Sequence, residues 1–322
     1  MLETMWKDGA KVLVAGLMVM DILVKPVSPA LFETDSSFVD SMDFLTGGDA
    51  MNVAVNLSML GLNVYASGLV GDDVGGKKVI EDLDRHNINR DLVEIRRGVT
   101  TTVSMVMCEK DGERHFVCLT DSTKKYDGHG LMDGLDGAKA VYIGSMMALP
   151  GLENGVLRRV FAEARRRGII TAMDATASPD ERWLERIEDV LEYTDVFIPS
   201  EGEAVRITGE TDPVKCAAFL RTRGVKIAGV KLGARGCYID DGKDPFFLPA
   251  MLCEHPVDLT GAGDAFMSGF MYGVLQGWST RESAKFATAT SYNCIQSLGA
   301  STHKMTADSI RSLVLEHENR EM

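Results

Sequence analysis

The chain has 322 residues, of which 45% are hydrophobic and 25% charged, and its formal net charge is -13 at pH 7. This length and apolar content predict one large α/β domain or two smaller ones. The acidic charge argues against nucleic acid and anionic membranes as partners. The basic residues that do cluster, at 165–167, end a predicted helix, where cations favour the dipole. Six scattered cysteines and an apolar run at 12–20 that is too short to cross a bilayer predict a cytoplasmic protein.

Strand and helix patterns alternate along the chain. Strands are predicted at 11–17, 64–70, 140–144, 168–173, 196–199 and 225–231. Helices are predicted at 49–60, 74–86, 152–167, 182–192, 213–223, 262–276, 281–298 and 307–317. This alternation predicts an α/β fold with a mainly parallel central sheet flanked by helices.

Two segments interrupt that alternation, at about 22–45 and about 100–120. The second has β-rich runs on either side of a turn at 111–113. We expect both segments to form a small β-sheet lid over the carboxyl edge of the central sheet, where open α/β sheets bind ligands. The lid and the central sheet would then belong to a single domain spanning residues 1–322.

The motif with the most specific chemistry is residues 258–266, where small residues at a turn precede an apolar helical run. The backbone N–H groups of Gly261, Ala262 and Gly263 would form an anion site at the positive end of that helix. Asp264 lies in its first turn. This carboxylate either accepts a proton from an attacking hydroxyl or, like most acidic residues in a first turn, only stabilises the helix dipole.

A second glycine-rich segment, residues 47–61, also runs from a turn into a helix. Gly47 and Gly48 permit close approach of a ligand, and Asp49 and Asn52 offer hydrogen-bonding groups suited to a neutral polyol. The alternative is a glycine turn capped by Asp49, with Asn52 in solvent.

Together, these segments resemble the two signatures of the PfkB, or ribokinase-like, carbohydrate kinase family in both spacing and order. The resemblance extends over nearly the whole chain, through Gly16, Asp21, residues 70–73, Glu203, residues 231–236 and residues 299–300. It implies a ribokinase-like fold and an ATP-dependent kinase that uses Mg²⁺. It also favours the catalytic interpretation of Asp264.

The resemblance implies roles for individual residues, with Asp264 as general base beside an anion hole at 261–263. The acceptor pocket would be lined by Asp21, Gly48, Asp49 and Asn52. The nucleotide would lie beside Ser200, Lys231, Gly233, Gly236 and Thr288. Glu203 would organise Mg²⁺ through water, and a monovalent cation such as K⁺ would lie at Asp258, Thr260 and the backbone near Gly299.

Several of these residues have a structural alternative. Ser200 stands where the family commonly has Asn, and together with Glu203 it also fits a helix capping box. Lys231 stands where a hydroxyl-bearing residue is common, and its side chain reaches either a phosphate or solvent. Thr288 faces either adenine or solvent, and Asp21 is either a hydroxyl ligand or a turn acceptor.

These observations predict transfer of the γ-phosphoryl group of ATP to a hydroxyl of a small neutral sugar, as in ribokinases and fructokinases. A carboxylate at Asp49 would repel a phosphorylated acceptor. One alternative is a nucleoside kinase of the adenosine type, with Met51, Met146 and Met147 around the base. A non-catalytic sugar-sensing protein on the same fold is the second alternative. The exposed edge of the lid sheet predicts a homodimer joined through the lids.

Overall fold

The computed structural model describes residues 11–110, 113–176 and 180–321. The first ten residues and residues 111 and 112 of the predicted hairpin turn lie outside these ranges. The strands within the described ranges are β1 (Lys11–Gly16), β2 (Val19–Lys25), β3 (Ser41–Gly47), β4 (Asn63–Gly71), β5 (Asn89–Arg96), β6 (Val103–Cys108), β7 (Arg114–Leu119), β8 (Ala138–Gly144), β9 (Ile170–Met173), β10 (Val196–Phe197), β11 (Ile227–Lys231), β12 (Cys237–Asp240) and β13 (Phe246–Leu248).

The α-helices of the same ranges are α1 (Asp49–Met59), α2 (Val74–Arg85), α3 (Asp121–Lys125), α4 (Leu131–Gly134), α5 (Val156–Arg166), α6 (Glu188–Leu191), α7 (Glu201–Thr208), α8 (Pro213–Thr222), α9 (Ala262–Leu275), α10 (Thr280–Cys294) and α11 (Ala307–Glu321). Among the described residues, no helix is long and apolar enough to cross a membrane.

The central sheet has the strand order β13-β12-β11-β10-β9-β8-β1-β4-β5. Neighbouring strands pair in parallel throughout the part of the sheet that runs β11-β10-β9-β8-β1-β4-β5. Strands β12 and β13 add one antiparallel edge next to β11. Strand β1, which lies between β8 and β4, is completely buried from Val12 to Ala15, as expected for a parallel strand with helices on both faces. The predicted α/β class with a mainly parallel sheet is therefore confirmed.

Hydrophobic clusters cover both faces of the central sheet. One includes Val12 and Val14 with α1 and α9, and the other includes Leu13 and Ala15 with the helices of the opposite face. Helix α9 is apolar nearly all round and is buried between α1 and α10. A Cβ at Gly273 would overlap the side chain of Ser283, so glycine permits the close packing of α9 on α10.

The helix predicted at 182–192 is wrong over most of its length, because only α6 is helical there. Arg186 is buried and forms ion pairs with Glu153 and with Asp180, at 2.9 Å from the latter. These ion pairs hold the chain in turns, so tertiary contacts override the helical periodicity. Helix α7 and strands β5, β12 and β13 were not predicted, and the three strands lie at the two edges of the sheet.

The four-stranded lid sheet has the order β3-β2-β6-β7 and is built from the two predicted interruptions. Its register aligns Asp21 with Ser104 and Ser104 with Cys118. Because side chains alternate along a strand, Arg114 shares the face of Asp21, whereas His115 points to the opposite face. The lid therefore presents the acidic Asp21 and the basic Arg114 on the same face.

Candidate active site

The candidate active site lies where strands of the central sheet end and two helices begin. Asp174 directly follows β9, Lys231 is the last residue of β11, and Asp49 and Asp264 lie in the first turns of α1 and α9. Carboxyl ends of parallel strands share one edge of the sheet, which is where open α/β sheets bind ligands.

Asp264 and Asn52 meet at the centre of this site. The Asn52 Nδ2 group donates a hydrogen bond of 2.8 Å to Asp264 Oδ2. Asp264 is 9% exposed, and its pKa is raised well above the ordinary value by burial and then by the negative charge of Asp49. A carboxylate with a raised pKa binds a proton more readily than an exposed one, as a general base requires.

Within the described ranges, the turn before α9 leaves backbone N–H groups without a side-chain cap at the start of the helix. Gly261 has φ 78° and, among the described residues, no side chain caps the helix. The Ala262 N–H makes a long 3.3 Å bond to Leu259 O. The remaining N–H groups of the first turn point out of the helix end and offer donors to an anion.

Lys231 also lies close to this turn. Its Nζ would lie 3.6 Å from a Cβ placed on Gly263, and it forms a buried ion pair with Asp174. Burial lowers the pKa of Lys231, but the carboxylates of Asp174 and Glu203 outweigh that effect and raise it overall. Burial raises the pKa of Asp174 to about 7, although Lys231 opposes the shift. The lysine side chain is therefore charged and points into the site rather than to solvent.

Asp49 is the first residue of α1, and the preceding Gly48 has φ 90°, so Asp49 does not cap the helix. Burial raises the pKa of Asp49, and the charge of Glu203 raises it further. Ser145 lies next to this carboxyl and is fully buried with φ 58°, a backbone conformation that is uncommon for non-glycine residues.

Asp21 faces the site from the lid, in the middle of β2 rather than in a turn. A Cβ on Gly47 would overlap Asp21 Oδ2, so the glycine gives this carboxyl its space. Burial raises the pKa of Asp21 to about 7. Burying an ionisable group without a partner is costly, which makes Asp21 a candidate ligand for a substrate hydroxyl.

A cavity of about 490 Å³ lies beside the α9 turn. Its lining contains most of the predicted nucleotide residues together with apolar side chains, namely Lys231, Gly233, Gly236, Gly263, Phe266, Thr288 and Tyr292. Thr288 Oγ1 donates to Lys285 O at 2.8 Å, so its hydroxyl is engaged within its own helix. The cavity's size, apolar walls and single cation suit a nucleotide.

Ser200 lies outside that lining and forms a capping box with Glu203 at the start of α7. The Ser200 N–H donates to Glu203 Oε2 at 2.7 Å. The capping box that the sequence offers as the alternative role of this pair is thus present. Glu203 also acts electrostatically on Asp49, Asp174 and Lys231.

Asp258 binds the neighbouring turn and a lid side chain. Asp258 Oδ1 accepts from Thr260 N–H at 2.7 Å and from Arg114 Nη2 at 2.5 Å, and Oδ2 accepts from Gly299 N–H at 2.9 Å. Arg114 also donates to Thr260 Oγ1. Burial alone raises the pKa of Asp258, but the donors Thr260, Arg114 and Gly299 hold it below the ordinary value.

Three residues of this site were missed by the sequence analysis: Asp174, Arg114 and Ser145. The position of Asp174 just after a predicted strand was a usable signal, because ligand-binding residues follow strand ends in this fold class. Arg114 and Ser145 carried no comparable signal. The first depends on the lid register and the second on a backbone angle.

Comparison with known proteins places the fold. The pfkB family carbohydrate kinase pattern matches residues 10–307. The ATP-dependent 6-phosphofructokinase of Thermoanaerobacterium thermosaccharolyticum is 27% identical over 277 residues, covering 83% of this chain and 84% of that protein. Arabidopsis thaliana ribokinase complexed with ribose and ATP gives a TM-score of 0.83 at 24% identity, over 95% of this chain and 99% of that one.

A further solved structure is that of a candidate ribokinase II from E. coli in complex with ATP and Mg²⁺. It gives a TM-score of 0.80 at 19% identity, over 96% of this chain and 100% of that one. Both alignments extend over nearly the whole of this chain. The predicted ribokinase-like fold is therefore confirmed.

Proposed function

The chain belongs to the pfkB family of carbohydrate kinases, and from that premise we propose that it transfers the γ-phosphoryl group of ATP to a hydroxyl of a small neutral sugar. The observation that carries this proposal is the contact between Asn52 and Asp264 at the start of α9. It joins the two glycine-rich segments, so the acceptor side and the phosphate side of the site meet at one carboxylate.

Asp264 is the proposed general base. The Asn52 amide holds one carboxylate oxygen at 2.8 Å, which fixes the orientation of the other oxygen for an acceptor hydroxyl. As that hydroxyl attacks the γ-phosphorus, its proton passes to Asp264, and the bond from phosphorus to the bridging oxygen of ADP breaks. Correct positioning of the reacting atoms supplies much of the rate enhancement.

The phosphates of ATP lie at the α9 turn in this proposal. The N–H groups of residues 261–263 and the Lys231 ammonium would stabilise the charge of the transferring group. Since Asp174 pairs with Lys231, the lysine side chain is held in one place before the nucleotide binds. Asp174 is therefore a positioning residue for Lys231.

Mg²⁺ fits the donor set of the site. Asp49, Asp174 and Glu203 surround a single ammonium, so the site has an excess of hard, negatively charged oxygens. Among the described residues, these carboxylates do not come within 4.8 Å of one another as a three-ligand cluster. Mg²⁺ does not require such a cluster, because it keeps several waters and takes its remaining ligands from phosphates. When bound, the ion neutralises phosphate charge, and Glu203 would hold it through water.

A neutral acceptor agrees with the charges around the acceptor pocket. Asp21 and Asp49 both approach it, and burial raises the pKa of each. A second phosphate on the acceptor would meet these carboxylates, whereas sugar hydroxyls would donate hydrogen bonds to them. The nucleoside alternative loses support, because Met51, Met146 and Met147 belong to the buried core rather than to a pocket wall.

The lid also supports the proposed homodimer. Phe44, Met105 and Val117 lie on the face opposite Asp21, and they are 53%, 36% and 56% exposed. Apolar side chains in one row of a sheet favour burial against a second copy. Light scattering of the purified protein tests this, because a monomeric mass would contradict the dimer without affecting the proposed chemistry.

A coupled ADP-release assay tests the proposed reaction across ribose, fructose, fructose 6-phosphate and adenosine. We expect turnover with a neutral sugar, and we expect Asp264→Asn to lower kcat by roughly 10³-fold while ATP binding remains. The control Asp136→Asn replaces a carboxylate whose side chain is 80% exposed and should leave kcat unchanged. Near-normal turnover of Asp264→Asn would remove it as the base, and turnover only with adenosine or fructose 6-phosphate would overturn the neutral-sugar proposal.

A further inference from the structure

Arg114 on lid strand β7 reaches across the cleft to the turn that precedes the proposed anion hole. Its guanidinium binds Asp258 Oδ1 at 2.5 Å and also the hydroxyl of Thr260. The Asp258 side chain is 4% exposed and that of Arg114 is 28% exposed, so the pair is largely shielded from solvent. Asp258 and Thr260 are the residues that the sequence resemblance assigned to a monovalent cation.

The donors around Asp258 do not fit such a cation. Both carboxylate oxygens already accept hydrogen bonds, from Thr260 N–H and Arg114 on one side and from Gly299 N–H on the other. The Cys294 thiol faces the carbonyl oxygens of Thr260 and Ala300, with Sγ at 3.6 and 3.8 Å. A K⁺ ion needs several free oxygen ligands, and here it would also lie against a guanidinium of the same charge.

We propose that Arg114 takes the place of the monovalent cation, so that the positive charge beside the anion hole is part of the lid. This proposal rests on the proposed kinase function of the same site. The charge stabilises Asp258, whose contact with the Thr260 N–H fixes the turn that leads into Gly261. Arg114 is a positioning residue, because it acts through Asp258 and not on the substrate.

Lid closure and ordering of the anion hole are coupled in this arrangement. Asp21 and Arg114 share one face of the lid sheet, so the movement that brings Asp21 to the acceptor also brings Arg114 to Asp258. The site then completes its phosphate-binding turn only when the acceptor pocket is covered. Such coupling limits transfer of the phosphoryl group to water.

Steady-state kinetics in K⁺ and in choline at equal ionic strength test the proposal, with the sugar on which the enzyme turns over. We expect wild-type kcat to differ by less than about twofold between the two salts. Arg114→Ala should lose roughly tenfold or more of kcat in choline with little change in the KM for sugar, because the defect lies in the anion hole. Arg114→Lys should recover part of this loss, because a positive charge returns.

His115→Ala is the matched control, since His115 is the next residue of β7 and points away from the cleft. It should leave kcat and the response to K⁺ unchanged. Saturable activation of the wild type by K⁺, or an Arg114→Ala enzyme equal to wild type in choline, would overturn the proposal.

Thermal melting with the ATP analogue AMP-PNP and Mg²⁺ provides a readout that does not need turnover. The wild type should melt at the same temperature in K⁺ and in choline, and a K⁺-specific stabilisation of the wild type would contradict the proposal. Absence of turnover with every sugar would refute the proposed function, but the melting comparison would still decide the role of Arg114.

Discussion

Replacement of Asp21 by Asn tests the acceptor side of the cleft through stability as well as activity. Among the described residues, no hydrogen bond opposes the effect of burial on the Asp21 carboxyl, and burial raises its pKa to about 7. Asn has nearly the same shape but carries neither the charge nor the titrating proton. The substitution therefore removes the electrostatic cost of this position and leaves its packing in place.

The sign of the effect follows from proton binding. Between pH 4 and 7 the folded protein holds a proton on Asp21 that the unfolded chain releases. The stabilising effect of that proton is therefore complete at low pH, and it is lost as the pH rises through about 7. Each pH unit in this window corresponds to about 1.4 kcal/mol. From pH 5 to pH 8, the wild type should lose roughly 2–3 kcal/mol of unfolding free energy that Asp21→Asn retains.

Urea unfolding of both proteins at pH 5 and pH 8 measures this difference. Asp40→Asn, an exposed carboxylate beside the same lid sheet, should follow the wild type at both pH values. We also expect Asp21→Asn to raise the KM for the sugar. The substitution stabilises the protein by removing the carboxylate that is proposed to bind a sugar hydroxyl. The same change in unfolding free energy with pH in wild type and Asp21→Asn would refute the reasoning.

Three further predictions concern the same site. Lys231→Met should lower the free energy of unfolding in urea by about 3 kcal/mol, because it leaves the buried Asp174 without its partner. Adding Asp174→Asn should restore this stability, but it should not restore kcat in the ADP-release assay. Gly47→Ala should raise the KM for the sugar by roughly tenfold with a smaller effect on the KM for ATP, because its methyl group displaces the Asp21 carboxyl; equal effects on both constants would contradict this. The acid limb of the pH profile of kcat/KM should have an apparent pKa above the usual range of a carboxyl, because the raised pKa of Asp264 leaves the base protonated at low pH. An acid limb near pH 4 would contradict the assignment of Asp264 as the base.

The local parts of the site were predictable because they are short stretches of chain. Gly261 and Asp264 belong to one turn and the helix that follows it, and Gly48, Asp49 and Asn52 belong to another. Glycine torsion angles and the free N–H groups of a helix start depend on neighbouring residues alone. The α/β class was equally accessible, since the alternation of apolar strands and helices is written along the chain.

The helix predicted at 182–192 shows where this kind of inference fails. Apolar spacing favoured a helix there, but the ion pairs of the buried Arg186 with Glu153 and Asp180 hold most of the segment in turns. The ion pair with Glu153 joins residues on separate elements, so periodicity carried no information about it.

The sequence determined that this chain is an α/β protein with two glycine turns, each leading into a helix with a carboxylate in its first turn. Only the tertiary structure decided which residues meet there. Lys231 pairs with Asp174 across 57 positions, Arg114 with Asp258 across 144, and Asn52 with Asp264 across 212. Such contacts depend on strand order, lid register and helix packing, and a single sequence does not specify these until its core has been assembled.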